Sequence, residues 1–346
     1  MTQSTFTDDE GQLWVPVVPN TLAVYRNLRI GLAVTAVMLA SSIIIQSTYM
    51  PQHSTKRCWQ GALSEYFYTS AHSIFIAALL GLATLFFIYR GTSDTENALF
   101  KLGGIAAFVA ALVPQPKPPI DRCKPLFLPD DFEVDLIVRP NVSAVVVALV
   151  LAWVITLFPR KHDPKDINGR RIRPTRSPGG NWARCVLRLV VAVGLIALIF
   201  PGLHLLQFAH GAAGLLLLSS SIATVFVTAF FASREVLPQR RKAHSCCYKV
   251  FYWLWAVVML VTLFAVLTVH ICRPDIFRGL GITIAESAVL LEFCAYWIVQ
   301  TIDLWDDPDR RYRLSEDDRK RLAQSDELSA EGLADTSICA KLMSFL

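Results

Sequence analysis

Charged residues are scarce in this sequence, and several common chemical motifs are missing from it. Asp, Glu, Lys and Arg make up only 18% of the 346 residues, whereas soluble domains contain about 25%. There is no glycine-rich phosphate loop of the Walker or dinucleotide type and no CxxC metal-binding pair, since Cys246 and Cys247 are adjacent. Together with an apolar content of 53%, these absences exclude water-soluble nucleotide-binding and barrel folds and predict a membrane protein.

Apolar segments long enough to cross a bilayer occur eight times, given that about 20 helical residues span the hydrocarbon core. The predicted spans lie near 28–48, 67–89, 99–114, 142–158, 186–206, 210–232, 250–271 and 281–301. We therefore predict an all-α bundle over 28–301, preceded by a polar segment, 1–27, and followed by a charged tail, 302–346, that we expect to be solvated. The start is acidic rather than basic, so we expect no cleaved signal peptide.

The basic residues predict the orientation, because Lys and Arg accumulate on the cytoplasmic side. With the N-terminus inside, 25 of the 33 basic residues fall in inner segments and 8 in outer ones. This count assigns Arg29, Lys101 and Arg188 to inner segments, because each lies at the edge of its span and its long side chain can reach the surface. Both termini are thus predicted to be cytoplasmic. No Lys lies deep in a span, which excludes a retinal Schiff base. The basic connection 160–184 is interpreted as lying on anionic lipid rather than on nucleic acid.

Cysteines in the predicted outer loops suggest a disulfide. Cys58 precedes the second span and Cys123 follows the third, so both face an oxidising space in which a disulfide can persist. Cys272, also outside, is an alternative partner.

Polar side chains within the spans identify a candidate site, because burying an ionisable group in a membrane is costly. Only Glu286 and Glu292 are predicted to lie well within a span, about 7 and 16 Å below the outer surface at a rise of about 1.5 Å per residue. Histidines and a hydroxyl-rich segment are predicted at the same outer level. The predicted outward-facing pocket contains Ser64, Tyr66, Tyr68, His72, His210 and Glu286, with His204, His270 and Glu292 as second-rank candidates.

Three interpretations of this pocket are open. In the first, the polar groups form a hydrogen-bond network that holds the helices together, as in a structural or scaffold protein. In the second, the pocket binds or moves a lipid-like or small polar ligand, with Glu286 as its polar anchor. In the third, two or three histidines hold zinc, with Glu286 as ligand or general base. No HxxxH or HExxH pair supports the third, so no cofactor is predicted outside that alternative.

Several segments resemble, in chain order, a family of uncharacterised bacterial polytopic membrane proteins that is distantly similar to the DRAM and Frag-like proteins. The matching segments are 64–69, 75–79, 89–91, 103–114, 209–213, 246–249 and 286–297. Ser64, Tyr66, Tyr68, His210 and Glu286 match recurrent polar positions of that family. At His72 and Ser73 the family usually has Arg and Asp, so a ligand role that depends on the Arg is not carried over. The resemblance implies a multi-pass bundle of bacterial origin but no defined activity.

The working prediction is a protein of the bacterial plasma membrane that binds or moves a lipid-like or small polar ligand in this pocket. A fainter similarity to transmembrane hydrolases that include alkaline ceramidases supplies the enzyme alternative, a zinc-dependent lipid or amide hydrolase that would use His72, His210 and His270. Membrane lipids are the expected partners. The sequence leaves the oligomeric state open.

Overall fold

The structure is a computed structural model that describes the helical bundle and the segments joined to it. The described residues are 6–7, 13–14, 19–49, 58–89, 93–115, 138–144, 206–236, 239–273, 276–277, 279–305 and 310–317, with single positions 91, 147, 185, 189, 192 and 196. The predicted spans 142–158 and 186–206 lie almost entirely outside these residues, and so do His204 and Cys123.

Six long helices form the described bundle. They are α1 (Pro19–Tyr49), α2 (His72–Ile88), α3 (Asp94–Leu112), α4 (Leu206–Ser233), α5 (Gln239–Cys272) and α6 (Gly281–Asp303). Short 3-10 helices cover Leu63–Tyr68 and Arg310–Arg313. A two-residue antiparallel pair, β1 (Phe6–Thr7) and β2 (Leu13–Trp14), precedes α1.

Five of these helices are long and apolar enough to cross a membrane. Their apolar stretches are Ala23–Thr48, Thr95–Leu112, Phe208–Ser233, Cys247–Cys272 and Gly281–Asp303. The α2 helix, with 17 residues, is shorter. The structure therefore confirms an all-helical fold with helices able to span a membrane, and five such helices lie among the described residues.

The helices pack as a ring in chain order. Each contacts its neighbours in sequence, and α6 returns to contact α1. Aromatic side chains fill the interior, where Phe86, Phe100, Phe293, Tyr296 and Trp297 are all buried. The α3 and α4 helices approach closely, because a Cβ at Gly103 would lie 2.9 Å from Ser220 Oγ. Small residues allow such close packing where the surrounding lipid supplies little hydrophobic driving force.

Two helix starts differ from the sequence prediction for local reasons. The second apolar span does not begin as a helix at 67, because the Thr69 hydroxyl donates to the Tyr66 carbonyl and accepts from the Ala71 N–H, and α2 begins only at His72. Hydroxyl side chains compete in this way with helical bonds. The α3 helix begins at Asp94 rather than 99, because Ser93 caps it by accepting from the Glu96 N–H at 3.1 Å.

Candidate functional site

The predicted pocket residues lie at one end of the bundle, which we call the Cys58 end. The end is formed by the last turns of α1, α3 and α5 and the first turns of α2, α4 and α6. Residues 58–71, which we call the cap segment, fold over it and are largely buried. Cys58 is disulfide-bonded. Cys272 is a free thiol, so the alternative Cys58–Cys272 pair is wrong, and Cys123 as the partner stays a prediction.

Hydrogen bonds attach the cap segment to α6. Glu286 Oε2 accepts from the Leu63 backbone N–H at 2.8 Å. One turn earlier in α6, the Thr283 hydroxyl donates to the Gln60 carbonyl at 2.6 Å, and the Thr283 N–H donates to the Gly61 carbonyl at 3.0 Å. The cap segment is therefore joined to α6 through both backbone and side-chain groups.

Two tyrosines attach the same segment to α1 and to the end of α3. The Tyr66 hydroxyl shares a 2.5 Å hydrogen bond with the Ser47 hydroxyl, and the Tyr68 hydroxyl donates to the Gln115 carbonyl at 2.6 Å. Ser64 donates to the Gln115 side-chain oxygen. Burial raises the pKa of Tyr66 above its ordinary value and that of Tyr68 to about 12, so both hydroxyls are neutral near pH 7.

Glu65 is a second acid at this end, and the sequence interpretation gives it no role. Glu65 is 8% exposed, and its Oε2 accepts from the Gly61 N–H at 2.7 Å. The Gln115 amide donates to its Oε1 at 3.4 Å. Within the described residues, neither Glu65 nor Glu286 forms an ion pair with a basic side chain. Among the described residues, these two carboxylates are thus compensated by hydrogen bonds alone.

Two predicted histidines lie at the Cys58 end but bond to backbone carbonyls rather than to the other candidates. His72 Nδ1 donates to the Phe67 carbonyl at 2.5 Å, and His210 Nδ1 donates to the Val113 carbonyl at 2.6 Å. A donor Nδ1 leaves Nε2 as the unprotonated nitrogen of a neutral ring.

The second-rank candidates are separate from this network. His270, at the end of α5, packs against Gly281, and its Nδ1 is buried without a partner. Glu292 Oε1 accepts from the Thr262 hydroxyl at 2.7 Å, in the interface between α5 and α6. Within the described part of the chain, no three His, Cys, Asp or Glu side chains are grouped to hold a metal.

A groove of about 440 Å³ lies elsewhere, along α5. It is lined by Leu260, Val261, Phe264, Ala265, Thr268 and Val269 and contains none of the predicted pocket residues.

The opposite end, which we call the tail end, contains buried charges that the sequence analysis does not identify. Arg310 pairs with Glu235 and with Asp303, both at 2.8 Å, and Arg313 pairs with Asp303 at 3.0 Å. We call these four residues the tail knot. The Tyr252 hydroxyl donates to Asp303 at 2.8 Å. The expectation of a solvated tail is therefore wrong for Arg310, Arg313 and Leu314, which are buried beside Glu235 in the α4–α5 connection.

Two further polar residues near the tail end correct the sequence prediction. Arg29 does not reach the surface but is 3% exposed inside the bundle. Glu96, 1% exposed, is a third acid within a span, because α3 begins earlier than predicted. Its carboxylate accepts from the Thr228 hydroxyl at 3.4 Å. The Ser93-x-x-Glu96 spacing, typical of a helix N-terminus, is the signal that could have placed Glu96 correctly.

Comparison with known proteins returns no matching family model, no similar curated protein and no similar solved structure.

Proposed function

We propose that this chain is a multi-pass protein of the bacterial plasma membrane with eight spans, both termini in the cytoplasm and the Cys58 end outside. The five long apolar helices and the distribution of basic residues support this arrangement. The disulfide at Cys58 also supports it, because disulfides persist in oxidising extracytoplasmic spaces.

At the Cys58 end, we propose, the protein binds a lipid-like or small polar ligand that supplies hydrogen-bond donors or positive charge. The observation that carries this proposal is a pair of carboxylates, the buried Glu65 and the half-buried Glu286, which accept from backbone N–H groups of the cap segment and have no basic partner in the described residues. Buried carboxylates are costly unless charge or hydrogen bonds compensate them. A cationic or hydroxyl-bearing group would supply that compensation once the cap segment moves aside.

A structural function is the second candidate, and a specific observation favours it. Ser64, Tyr66, Tyr68, His72, His210 and Glu286 all hydrogen-bond to protein groups. Such a network can close one end of the bundle and fix its helices without any ligand.

Glutamine substitution separates these two functions, because a glutamine oxygen can still accept from the Leu63 N–H while the charge is removed. We propose mass spectrometry of lipids and small molecules that co-purify with wild-type protein, Glu286→Gln and the matched control Glu292→Gln. Loss of a co-purified molecule in Glu286→Gln alone, at unchanged Tm, would support ligand binding. An unchanged set of molecules with a lowered Tm would support the structural function instead.

The enzyme alternative is a zinc-dependent lipid or amide hydrolase. The hydrogen bonds from Nδ1 of His72 and of His210 to backbone carbonyls favour this alternative. A histidine that binds a metal through one ring nitrogen commonly donates the N–H of the other to a carbonyl. Zinc analysis of purified protein tests it: stoichiometric zinc that is lost in His210→Ala would support a hydrolase, and no zinc in either protein would exclude it.

A further inference from the structure

Arg29 lies inside the bundle near the tail end and contacts two other helices. Its guanidinium donates from Nη1 to the Gln300 carbonyl at 3.1 Å and from Nη2 to the Tyr89 hydroxyl at 2.9 Å. The Arg29 carbonyl in turn accepts from Trp297 Nε1 at 3.1 Å. Arg29 is 3% exposed, so a positive charge is buried among α1, α6 and the end of α2.

This charge has no anionic partner among the described residues. Both hydrogen-bond acceptors of the guanidinium, a carbonyl and a hydroxyl, are neutral. The Tyr89 hydroxyl is a neutral acceptor and not a counter-ion. Buried charges are ordinarily paired, and a basic residue inside a membrane span is by default a candidate functional site.

Two buried polar atoms beside this charge also lack partners. Arg29 Nε is a donor and Gln300 Oε1 is an acceptor, and neither forms a hydrogen bond in the described structure. The hydrogen bond from Arg29 Nη1 to the Gln300 carbonyl places the guanidinium beside residue 300. An unsatisfied buried polar atom is costly, so the site favours an additional group that accepts from Arg29 Nε and donates to Gln300 Oε1.

Aromatic rings surround this position and reduce its contact with water. The Tyr89 ring lies 5.0 Å from the Trp297 ring and 4.8 Å from the Phe100 ring, and the Arg29 guanidinium lies 5.6 Å from the Tyr89 ring. In such a low-dielectric environment an ionic hydrogen bond is stronger than in water.

We propose that Arg29 and Gln300 bind one phosphate group at the tail end of the bundle, with an anionic oxygen that accepts from Arg29 Nε and a hydroxyl of the same group that donates to Gln300 Oε1. Arg29 Nε–H is the donor left for such a group, because Nη1 and Nη2 already donate to the Gln300 carbonyl and the Tyr89 hydroxyl. The Gln300 amide can donate to an anionic oxygen or accept from a protonated one. The site is separate from Glu286 and does not depend on the function proposed for the Cys58 end.

The anionic group has two sources, a membrane lipid or a free anion. Arg29 lies six residues after the apolar stretch begins at Ala23, or about 9 Å along the helix at a rise of about 1.5 Å per residue. That depth can be reached by a phospholipid headgroup drawn between helices and also by a small anion entering from the tail end.

Thermal unfolding of the purified full-length protein distinguishes these sources. One arm titrates inorganic phosphate into detergent-solubilised protein at constant ionic strength maintained with chloride. The other compares nanodiscs of phosphatidylglycerol with nanodiscs of phosphatidylcholine. Arg29→Lys keeps the positive charge but removes Nε and the planar fork, and Gln300→Met removes the amide while keeping the backbone carbonyl. Arg26→Lys is the matched control, because Arg26 lies one turn earlier and donates from Nε to the Trp305 carbonyl.

We expect the Tm of wild type and of Arg26→Lys to rise to a plateau in one of the two experiments, with phosphate or with phosphatidylglycerol. The apparent affinity for that ligand should be at least tenfold weaker in Arg29→Lys and in Gln300→Met. A rise with phosphate identifies a free anion, and a rise only with phosphatidylglycerol identifies a lipid. Equal responses in wild type and Arg29→Lys, or no response in either arm, would overturn the proposal. If Arg29→Lys does not fold, an unchanged response in Gln300→Met overturns it.

Discussion

Glu286 in the last long helix accepts a 2.8 Å hydrogen bond from the backbone N–H of Leu63, 223 positions earlier in the chain. The bond joins the cap segment to α6 and places a half-buried carboxylate at the start of the 3-10 helix Leu63–Tyr68. The cap segment and Glu286 therefore form one unit, so any ligand that uses this carboxylate must displace or rearrange the segment.

The proposed topology predicts which loops are accessible from outside the cell. Single cysteines introduced at positions 130 and 170 should react differently with a membrane-impermeant thiol reagent, because the two loops lie on opposite sides. We expect labelling of intact cells at 130 and not at 170, with both positions labelled after permeabilisation. The reverse pattern would show that the orientation is wrong.

The tail knot should contribute strongly to stability. Replacing Arg310 by Ala leaves Glu235 without its 2.8 Å partner in a buried site, and loss of one partner of a buried ion pair costs about 3–5 kcal/mol. We expect the free energy of unfolding in detergent to fall by that order, and the tail to become more sensitive to protease.

Arg234→Ala is the control for this experiment. Arg234 is exposed and lies over the Phe230 ring at 4.2 Å, a contact worth about 0.5–1 kcal/mol at an exposed site. Equal losses of unfolding free energy in Arg310→Ala and Arg234→Ala would contradict a strong contribution of the tail knot to stability.

Glu235 should make stability depend on pH. Burial of the Glu235 carboxyl raises its pKa above the ordinary 4.5, and the nearby Asp303 carboxylate raises it further. The positive charges of Arg310 and Arg313 oppose this rise in part. Because the folded protein holds this proton more tightly, the contribution is complete below pH 4.5 and is lost as the pH rises through the folded pKa. The Tm of wild type minus that of Glu235→Gln should therefore fall as pH increases from 4.5 towards neutrality. A Tm difference that stays constant or increases over this pH range would show that the pKa of Glu235 is not raised in the folded protein.

Gly281 should not tolerate a side chain. A Cβ there would lie 2.7 Å from His270 Cγ, so Gly281→Ala forces the α5 and α6 ends apart, and overpacking of this kind costs about 1–3 kcal/mol. At Gly214 nothing lies within 4 Å of such a Cβ, and Gly214→Ala should be neutral or stabilise by up to about 1 kcal/mol. Thermal unfolding of both variants checks the difference. A larger loss at Gly214 would contradict the packing described for Gly281.

Apolar runs predicted the helices well because each run is bounded by polar residues. The α4, α5 and α6 helices contain the predicted spans 210–232, 250–271 and 281–301 and extend beyond them. Hydropathy marks where a helix is apolar, not where it ends. The α5 helix therefore begins at Gln239, within a basic segment that the sequence assigns to a connection.

Polar contacts between distant segments could not be predicted from the sequence. The hydroxyl-rich segment at 64–69 indicated a site, but only the fold shows that Glu286 bonds to the Leu63 backbone, since a backbone donor has no sequence signature. Arg29 was predicted to reach the surface because it lies near a span edge. The carbonyl of Gln300 and the hydroxyl of Tyr89, both far along the chain, hold it inside instead.

Equilibrium binding of the molecule that co-purifies with wild-type protein, measured on wild type, Glu286→Gln and Glu292→Gln, is the decisive experiment for the ligand site at the Cys58 end. We predict at least tenfold weaker binding in Glu286→Gln, no change in Glu292→Gln, and Tm values that agree for all three, because glutamine still accepts from the Leu63 N–H. Equal affinity in wild type and Glu286→Gln would contradict the proposal that the Cys58 end is a ligand site.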